Sequence, residues 1–544
     1  MQIEHADRTL AGQVWSVADA VAACLVAAGV ERLYGIPGGG TSALIVAAEA
    51  RGLRFVLTHG ETSAAIMAST DAERTGAPGV VVTSNGPGAA AVVDGLAHAR
   101  LDRAPLLLLT DRQPDRSNAE GFHQWLDQAG LFAAVAKASL TLTAEHAPTT
   151  LLHAIALAQS DPPGPVHVDV PIGLARQAAG PASPDSMAPR VPTGGPLPGG
   201  MAERIQQAQH PLILAGLGTR ELDPGRLDVV AAALQAPVLA TYKGKGAIDE
   251  TSPWSAGILM AGGPERELLD GADVLISVGL DPVELFPSVP DLAGRRIALD
   301  AYRPAPGVLA PPLQQAIGDL NLLVSALPTS GCSEWDPDTI VASRRGLAER
   351  LAATSGGDAG MHPWQIARTV DEAFSSHADL AVDAGAHMLP LAEAWHARRP
   401  GSFVISNGLA TMGCGLPAAT ARSIAEPDRR VVCCTGDGGL LMIAGELATA
   451  AREAHRLTIV VFDDRSLSLI RIKQRADEVG RGVDTGGPDW VTVGQGFGIA
   501  SVRVEDLGEL RRALDESDGA TSPRLIVAAT DPVPYAGIIE QVRG

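Results

Sequence analysis

The stretch VVCCTGDGGLLMIAGELATAAREAHRLTIVVFDD, residues 431–464, decides how this chain is read. It predicts a strand over 431–435, a tight turn at Gly436-Asp437-Gly438-Gly439, a helix over 440–453 and a strand over 457–462 that runs into Asp463 and Asp464. Strand, glycine turn, helix and strand make a βαβ unit, the building block of parallel sheets. Glycines let the backbone approach an anion closely, and a helix start offers unpaired N–H groups to phosphate oxygens. Asp437 and Asp464 end two strands of one unit, so both carboxylates can face one crevice. Two hard oxygen ligands beside a diphosphate suit a magnesium ion, which takes a few carboxylates and completes its shell with phosphate and water. A Gly-Asp-Gly turn alone more often just caps a helix. The second aspartate at the end of the next strand favours the ligand reading.

The same alternation continues outward in both directions. Upstream, GVVVTS (79–84), PLLLLTD (105–111) and PVHVDVP (165–171) read as buried parallel strands, separated by alanine-rich helical stretches. PLILAG (211–216), APVLATY (236–242), ADVLISVG (272–279) and RIALD (296–300) repeat the pattern in the middle, and DLAVDAG (379–385) and RLIVAATD (524–531) repeat it near the end. Two Pro/Gly/Ser-rich stretches, 180–200 and about 328–363, read as exposed linkers. The expected architecture is therefore α/β, with three doubly wound parallel-sheet domains over 10–179, 190–328 and 360–544. Ligands of such domains sit at the carboxyl ends of the strands.

Composition narrows the function classes. The chain has 544 residues, 46% hydrophobic and 19% charged, which suits several globular domains. No apolar run approaches the roughly 20 residues that span a bilayer, and MQIEHADRTLAG lacks the regions of a signal peptide. The five cysteines, with no paired CxxC units, suit a reduced cytoplasmic protein. A net charge of −20 argues against nucleic acid as a partner.

The GDGG turn, its helix and the Asp463-Asp464 ending resemble the cofactor motif of the thiamine diphosphate enzymes of the pyruvate decarboxylase and acetolactate synthase type. The resemblance implies a diphosphate cradled by Gly436, Gly438 and Gly439, and a magnesium ion held by Asp437, Asp464 and the main-chain oxygen of Ser466. Asn-Asn or Asn-Asp is commoner in that family than Asp463-Asp464, so this chain places one more negative charge near the metal. The first segment resembles the family's pyrimidine-binding half: LYGIPGGGTSALIVAA (33–48) with Pro37 and Gly38, RFVLTHGETSAAIMAST (54–70) with Glu61, and a second glycine turn within 80–111. The match extends into HQWLDQAGLFAAVAKAS (123–139). By resemblance Glu61 hydrogen-bonds the aminopyrimidine ring and so activates the thiazolium carbon, with Gln124 as the second catalytic residue. The family often has His directly before this Glu; here His59 stands two places ahead, so packing suits it better.

Further expectations follow from the same resemblance. In SNGLATMGCGLPAA (406–419), Met412 stands where a large apolar residue props the cofactor in a bent shape. In DAGAHML (383–389), Asp383, Gly385 and His387 occupy a loop that contacts the diphosphate, although His387 reads equally well as a packed polar residue. In RSLSLIRIKQ (465–474), Leu467 and Leu469 could line an acyl pocket and Lys473 or Gln474 could meet a carboxylate; an ordinary amphipathic helix explains all four as well. The central segment has Leu280-Asp281-Pro282 where FAD-binding members carry an arginine-rich pattern, so FAD is not expected. The implied reaction is decarboxylation of a small 2-oxo acid, pyruvate by default, with carboligation to a second carbonyl. Plain decarboxylation, C–C bond hydrolysis and a catalytically silent binding homologue are the alternatives. The implied assembly is a homodimer or homotetramer whose active site lies between chains.

Overall fold

A computed structural model describes residues 15–113, 123–180, 197–260, 263, 265–285, 292, 294–303, 310–475, 477–478 and 480–543. It contains three six-stranded sheets, and every strand pair in them is parallel. The first is built from β1 (Arg32–Gly35), β2 (Arg54–Leu57), β3 (Gly79–Thr83), β4 (Leu106–Arg112), β5 (Ser139–Thr141) and β6 (Pro165–Pro171), in the order β2-β1-β3-β4-β6-β5. The second contains β7 (Pro211–Ala215), β8 (Val238–Ala240), β9 (Ser255–Ile258), β10 (Val274–Val278), β11 (Arg296–Asp300) and β12 (Gln314–Ile317), in the order β12-β11-β10-β7-β8-β9. The third contains β13 (Ala378–Val382), β14 (Phe403–Ile405), β15 (Arg430–Gly436), β16 (Leu457–Asp463), β17 (Ala500–Val504) and β18 (Arg524–Ala529), in the order β14-β13-β15-β16-β18-β17. The fold class is α/β, three doubly wound parallel sheets.

Burial explains which strands the sequence shows. Along β3, β7, β10, β11 and β13 every residue is buried, so helices covering both faces demand a mainly apolar run, with the buried Arg296, Asp300 and Asp379 near strand ends. Edge strands β12 and β17 are partly exposed and read as mixed polar sequence. The strand order reverses between β1 and β3 in the first sheet, between β7 and β10 in the second, and between β13 and β15 in the third. Crevices open at those points, beyond the carboxyl ends of the strands.

The helices that matter for the site are α1 (Glu61–Thr75), α2 (Pro337–Ala352), α3 (Pro363–Phe374), α4 (Met388–Ala394), α5 (Asp437–Met442), α6 (Glu446–Glu453) and α7 (Ser468–Lys473). Two local expectations change. The single helix expected over 440–453 is two, because Ile443 leaves helical geometry at φ −130° and Gly445 follows. The helix also starts earlier than expected: Gly436 is its N-cap and Asp437 its first residue, so the glycine turn is itself the first helical turn. Within the stretch expected as a loose linker, α2 forms a full helix that Asp336 caps and that buries Ile340 and Leu351. The chain groups into two compact units: residues 1–190 with 420–425 and 445–453, and residues 191–419 with 426–444 and 454–544. No helix among the described residues is long and apolar enough to cross a membrane.

Candidate active site

At the reversal point of the third sheet, the loop after β13 meets the start of α5 after β15. Asp383 is the hub of this junction. It is fully buried and accepts hydrogen bonds from the Ala384 N–H (2.9 Å), the Gly413 N–H (3.0 Å), the Cys414 N–H (3.0 Å) and the Thr435 hydroxyl (2.9 Å). A Cβ on Gly439 would come within 2.2 Å of the Asp383 Oδ2 atom, so only glycine lets α5 approach so closely. Asp383 therefore ties together the 411–415 loop, the end of β15 and the first turn of α5. Its oxygens are spent on that work, so it positions the loop that carries Met412, half-buried, rather than touching a ligand itself.

His387 is buried against Phe462, with ring centroids 5.5 Å apart, and its ring also abuts Gly385 and Gly436. Burial lowers its pKa to about 4, so the ring is neutral. Its Nε2 atom is buried with no hydrogen-bond partner among the described residues, an unmet polar group beside the Gly436 turn.

Two carboxylates gather at the ends of β15 and β16. Asp437 is buried and accepts from the Thr485 hydroxyl at 2.7 Å. Asp464 accepts from the Ser466 N–H (2.9 Å) and the Ser468 hydroxyl (2.7 Å). Burial raises Asp437 to about 6, and Asp463 adds to the rise. Burial raises Asp464 to about 7, with the nearby charge of Asp437 contributing. Among the described residues neither carboxylate has an ion-pair partner, a condition that a divalent ion relieves. Asp463, the extra acid, is answered internally: Arg503 pairs with it at 2.5 Å. Ser466 forms an antiparallel bridge with Asp484, closed by Leu467 N–H to Val483 and Thr485 N–H to Arg465; neither bond uses the Ser466 carbonyl. Among the described residues no group of three or more His, Cys, Asp or Glu side chains converges as a metal cage. The two aspartates and the main-chain oxygen of Ser466 are hard oxygen donors, the chemistry that suits a magnesium ion sharing its shell with a diphosphate. Thr485, which sequence reasoning missed, orients Asp437 from a loop with no motif of its own.

The residues of α7 separate. A Cβ on Gly438 would lie 2.7 Å from the Leu467 side chain, so Leu467 covers the glycine turn. Leu469 instead packs against the core of the third sheet, and Lys473 is exposed. Gln474 donates to the Arg481 carbonyl (2.8 Å) and accepts from the Gly480 N–H (3.0 Å), which fixes the following loop. The amphipathic-helix reading accounts for these last three.

In the first unit, Glu61 is the first residue of α1, after the N-cap Gly60, and is half-buried. Its carboxylate makes no hydrogen bond among the described residues and lies beside Gly88, after the β3 turn. The Pro37-Gly38 turn after β1 has a different occupant: Asp111, at the end of β4, accepts from the Gly40 N–H at 3.0 Å, and a Cβ on Gly38 would meet it at 2.2 Å. Gly38's own N–H goes to the Thr41 hydroxyl at 2.9 Å. This turn is thus filled by an internal anion. Gln124 is exposed, takes φ 60° and receives the Asn85 amide on its carbonyl at 3.0 Å. It lines a small cavity of about 90 Å³ with Asn85, Arg112 and Asp169. His59 is held by Thr449 at 2.9 Å and, through its N–H, by Glu446 at 3.0 Å, a packing role.

Three family profiles match the chain: "Thiamine pyrophosphate enzyme, N-terminal TPP binding domain" over residues 15–131, its central domain over 200–327, and its "C-terminal TPP binding domain" over 383–528. Acetolactate synthase isozyme 2 large subunit of Escherichia coli (strain K12) is 30% identical over 531 residues, covering 93% of this chain and 94% of that protein. The chain belongs to the thiamine pyrophosphate enzyme family. Acetolactate synthase of Bacillus subtilis (strain 168) is 27% identical over 94% of this chain and 93% of its own length. A Pseudomonas aeruginosa protein described as "Probable 2-ketoarginine decarboxylase AruI" is 28% identical over 92% of this chain and 91% of its length. The profile boundaries of this thiamine pyrophosphate enzyme enclose Glu61 and Gln124 in the N-terminal match, and Asp383, His387, Met412, Asp437 and Asp464 in the C-terminal match.

Proposed function

We propose that the chain catalyses thiamine diphosphate-dependent decarboxylation of a small 2-oxo acid, with pyruvate as the first candidate, and joins the decarboxylated fragment to a second carbonyl. The observation that carries the cofactor assignment is the uncompensated pair Asp437 and Asp464, at the carboxyl ends of neighbouring strands. The ligation step rests on the two acetolactate synthases, similar over more than nine-tenths of this chain. When bound, thiamine diphosphate supplies the carbon nucleophile and the cationic ring that accepts electrons as CO2 leaves. Asp437, Asp464 and the Ser466 carbonyl hold the magnesium ion. The first-turn N–H groups of α5 would serve the diphosphate oxygens, Leu467 covers the turn, and the neutral His387, whose other ring nitrogen bonds the Asp383 backbone, would present its Nε2 lone pair beside it. Asp383 keeps these parts in register. Glu61, free of internal hydrogen bonds, holds a proton at a ring nitrogen of the cofactor's pyrimidine.

FAD is left out of this reading for a physical reason. At the reversal point of the second sheet, where a nucleotide would lie, the Gly218 N–H donates to the Gly279 carbonyl at 2.9 Å, closing the loops after β7 and β10 onto each other. The buried Glu284 carboxylate takes the Leu217 N–H (2.7 Å), the Asp281 N–H (3.4 Å) and the Thr241 hydroxyl (2.5 Å). The Glu284 side chain thus occupies the donors that a nucleotide phosphate would need.

The test is product analysis with magnesium, thiamine diphosphate and pyruvate. Release of CO2 with a matching yield of 2-acetolactate supports the proposal. CO2 with acetaldehyde alone, whatever acceptor is offered, points to plain decarboxylation. The Pseudomonas relative favours that second reading with a 2-oxo acid bearing a guanidino group, so 2-ketoarginine belongs in the panel.

A further inference from the structure

Within the second unit, β9, α2, α3 and α4 enclose a cavity of about 250 Å³ that shares no residue with the candidate active site. The size is that of a small metabolite, below the usual range for drug-sized ligands. Ile258, Ile340, Leu347, Leu351 and Trp364 supply apolar walls. Most of its charged groups are already matched. Lys245 sits 2.7 Å from Glu250, whose same oxygen accepts the Ala397 N–H at 3.0 Å. Arg368 faces Asp371 and Glu372, each at 3.4 Å, and His396 pairs with Asp371 at 3.0 Å.

Two charges in the lining are not matched. The Glu393 carboxylate makes no hydrogen bond or ion pair among the described residues. Among the described residues the Arg344 guanidinium donates only to the Ser255 carbonyl, at 3.2 Å. The two feel each other electrostatically without meeting. Burial pushes Glu393 up to about 7, and Lys245 and Arg344 oppose the rise. A plain anion entering here would face Glu393, Glu265 and Glu250, and a plain cation would face Arg344 and Lys245. A molecule carrying both charges on a small apolar body satisfies both groups at once.

We propose that this cavity binds a free α-amino acid with an apolar side chain, its ammonium on Glu393, its carboxylate on Arg344 and its side chain against Trp364 and Leu347. The proposal is independent of which 2-oxo acid the active site takes. Calorimetric titration of the holoenzyme with L-leucine, L-valine and L-phenylalanine tests it, beside 3-methylbutan-1-amine and 4-methylpentanoate, which each keep one charge of leucine. Saturable binding of at least one amino acid is expected, with either single-charge analogue of leucine weaker than leucine by about tenfold or more. Glu393→Gln and Arg344→Gln should each lose at least about tenfold in that affinity, with thiamine diphosphate retention unchanged. Ala348→Trp, which fills the cavity, should abolish it. Should a variant fail to fold, the analogue series alone decides, since it needs no substitution. No saturable binding by any of the three amino acids overturns the proposal. So do analogues that bind as tightly as leucine, or full affinity in folded Glu393→Gln.

Discussion

Asp437 and Asp464 sit where burial and mutual repulsion oppose ionisation, at about 6 and about 7. A magnesium ion binds the ionised forms, so it competes with protons. Affinity for the magnesium–cofactor pair should therefore fall as pH drops from 8 to 6, by about tenfold or more, and calorimetry at the two pH values checks this. Asp464→Asn removes one titrating group, keeps an oxygen ligand and should flatten that dependence. Asp437→Ala loses a ligand and should weaken cofactor retention on the order of 100-fold; unchanged affinity would remove Asp437 from the metal site. Glu61 belongs to a different step. Glu61→Gln should lower kcat roughly 100-fold or more while the cofactor still binds, because proton placement is lost and the fold is not. Equal activity in that variant would leave Glu61 as an ordinary first-turn acid. The positions of these residues at strand ends and helix starts were legible because the βαβ unit fixes that spacing. Thr485, Arg503 and the saturating partners of Asp383 were not, since they arrive from loops and strands distant in sequence.

Among the elements, the buried central strands were readable and the edges were not. RIALD forms β11 as expected, whereas QQAI forms β12 with two half-buried glutamines and an exposed isoleucine that no apolar run announces. The closed crevice of the second sheet gives an element-scale prediction. Burial raises Glu284 to about 8, well above the ordinary carboxylate range. The folded protein then holds a proton that the unfolded chain releases above about pH 4.5. That contribution to stability is present at low pH and is lost as pH rises toward 8, on the order of 1 kcal/mol per pH unit. Glu284→Gln cannot lose it, so its thermal midpoint should gain on the unsubstituted protein between pH 5 and 8. A constant difference between the two across that window would mean that Glu284 is ionised in the folded state.

At the scale of the molecule, the proposed groups divide between the N-terminal and C-terminal family matches, with Glu61 in the first and Asp437 in the second. We propose that sites are shared between chains of a symmetric dimer. Glu61→Ala and Asp437→Ala homodimers should each be nearly inactive. In the mixed dimer one site carries both lesions and the other carries neither, so the heterodimer purified after co-expression should show about half of the normal activity. A verified heterodimer without activity would show that each chain builds its own site.

The glycine-rich turns, the aspartates at strand ends and the apolar runs made the α/β class and the three sheets readable from the chain alone, and the resemblance of the motifs made the thiamine pyrophosphate family readable. Each is a local consequence of backbone chemistry: close approach needs glycine, a doubly covered strand needs apolar side chains, and a strand end points into a crevice. What only the folded structure decided depends on which polar groups already have partners. Asp383 and Gln474 carry the right chemistry for ligands, yet their oxygens and amide are occupied within the protein. Glu393 has no motif around it in the sequence, and it and Glu61 are left without hydrogen bonds among the described residues. Sequence names the donors and acceptors, but packing between distant segments determines which remain free, and free groups in cavities are the ones that can bind.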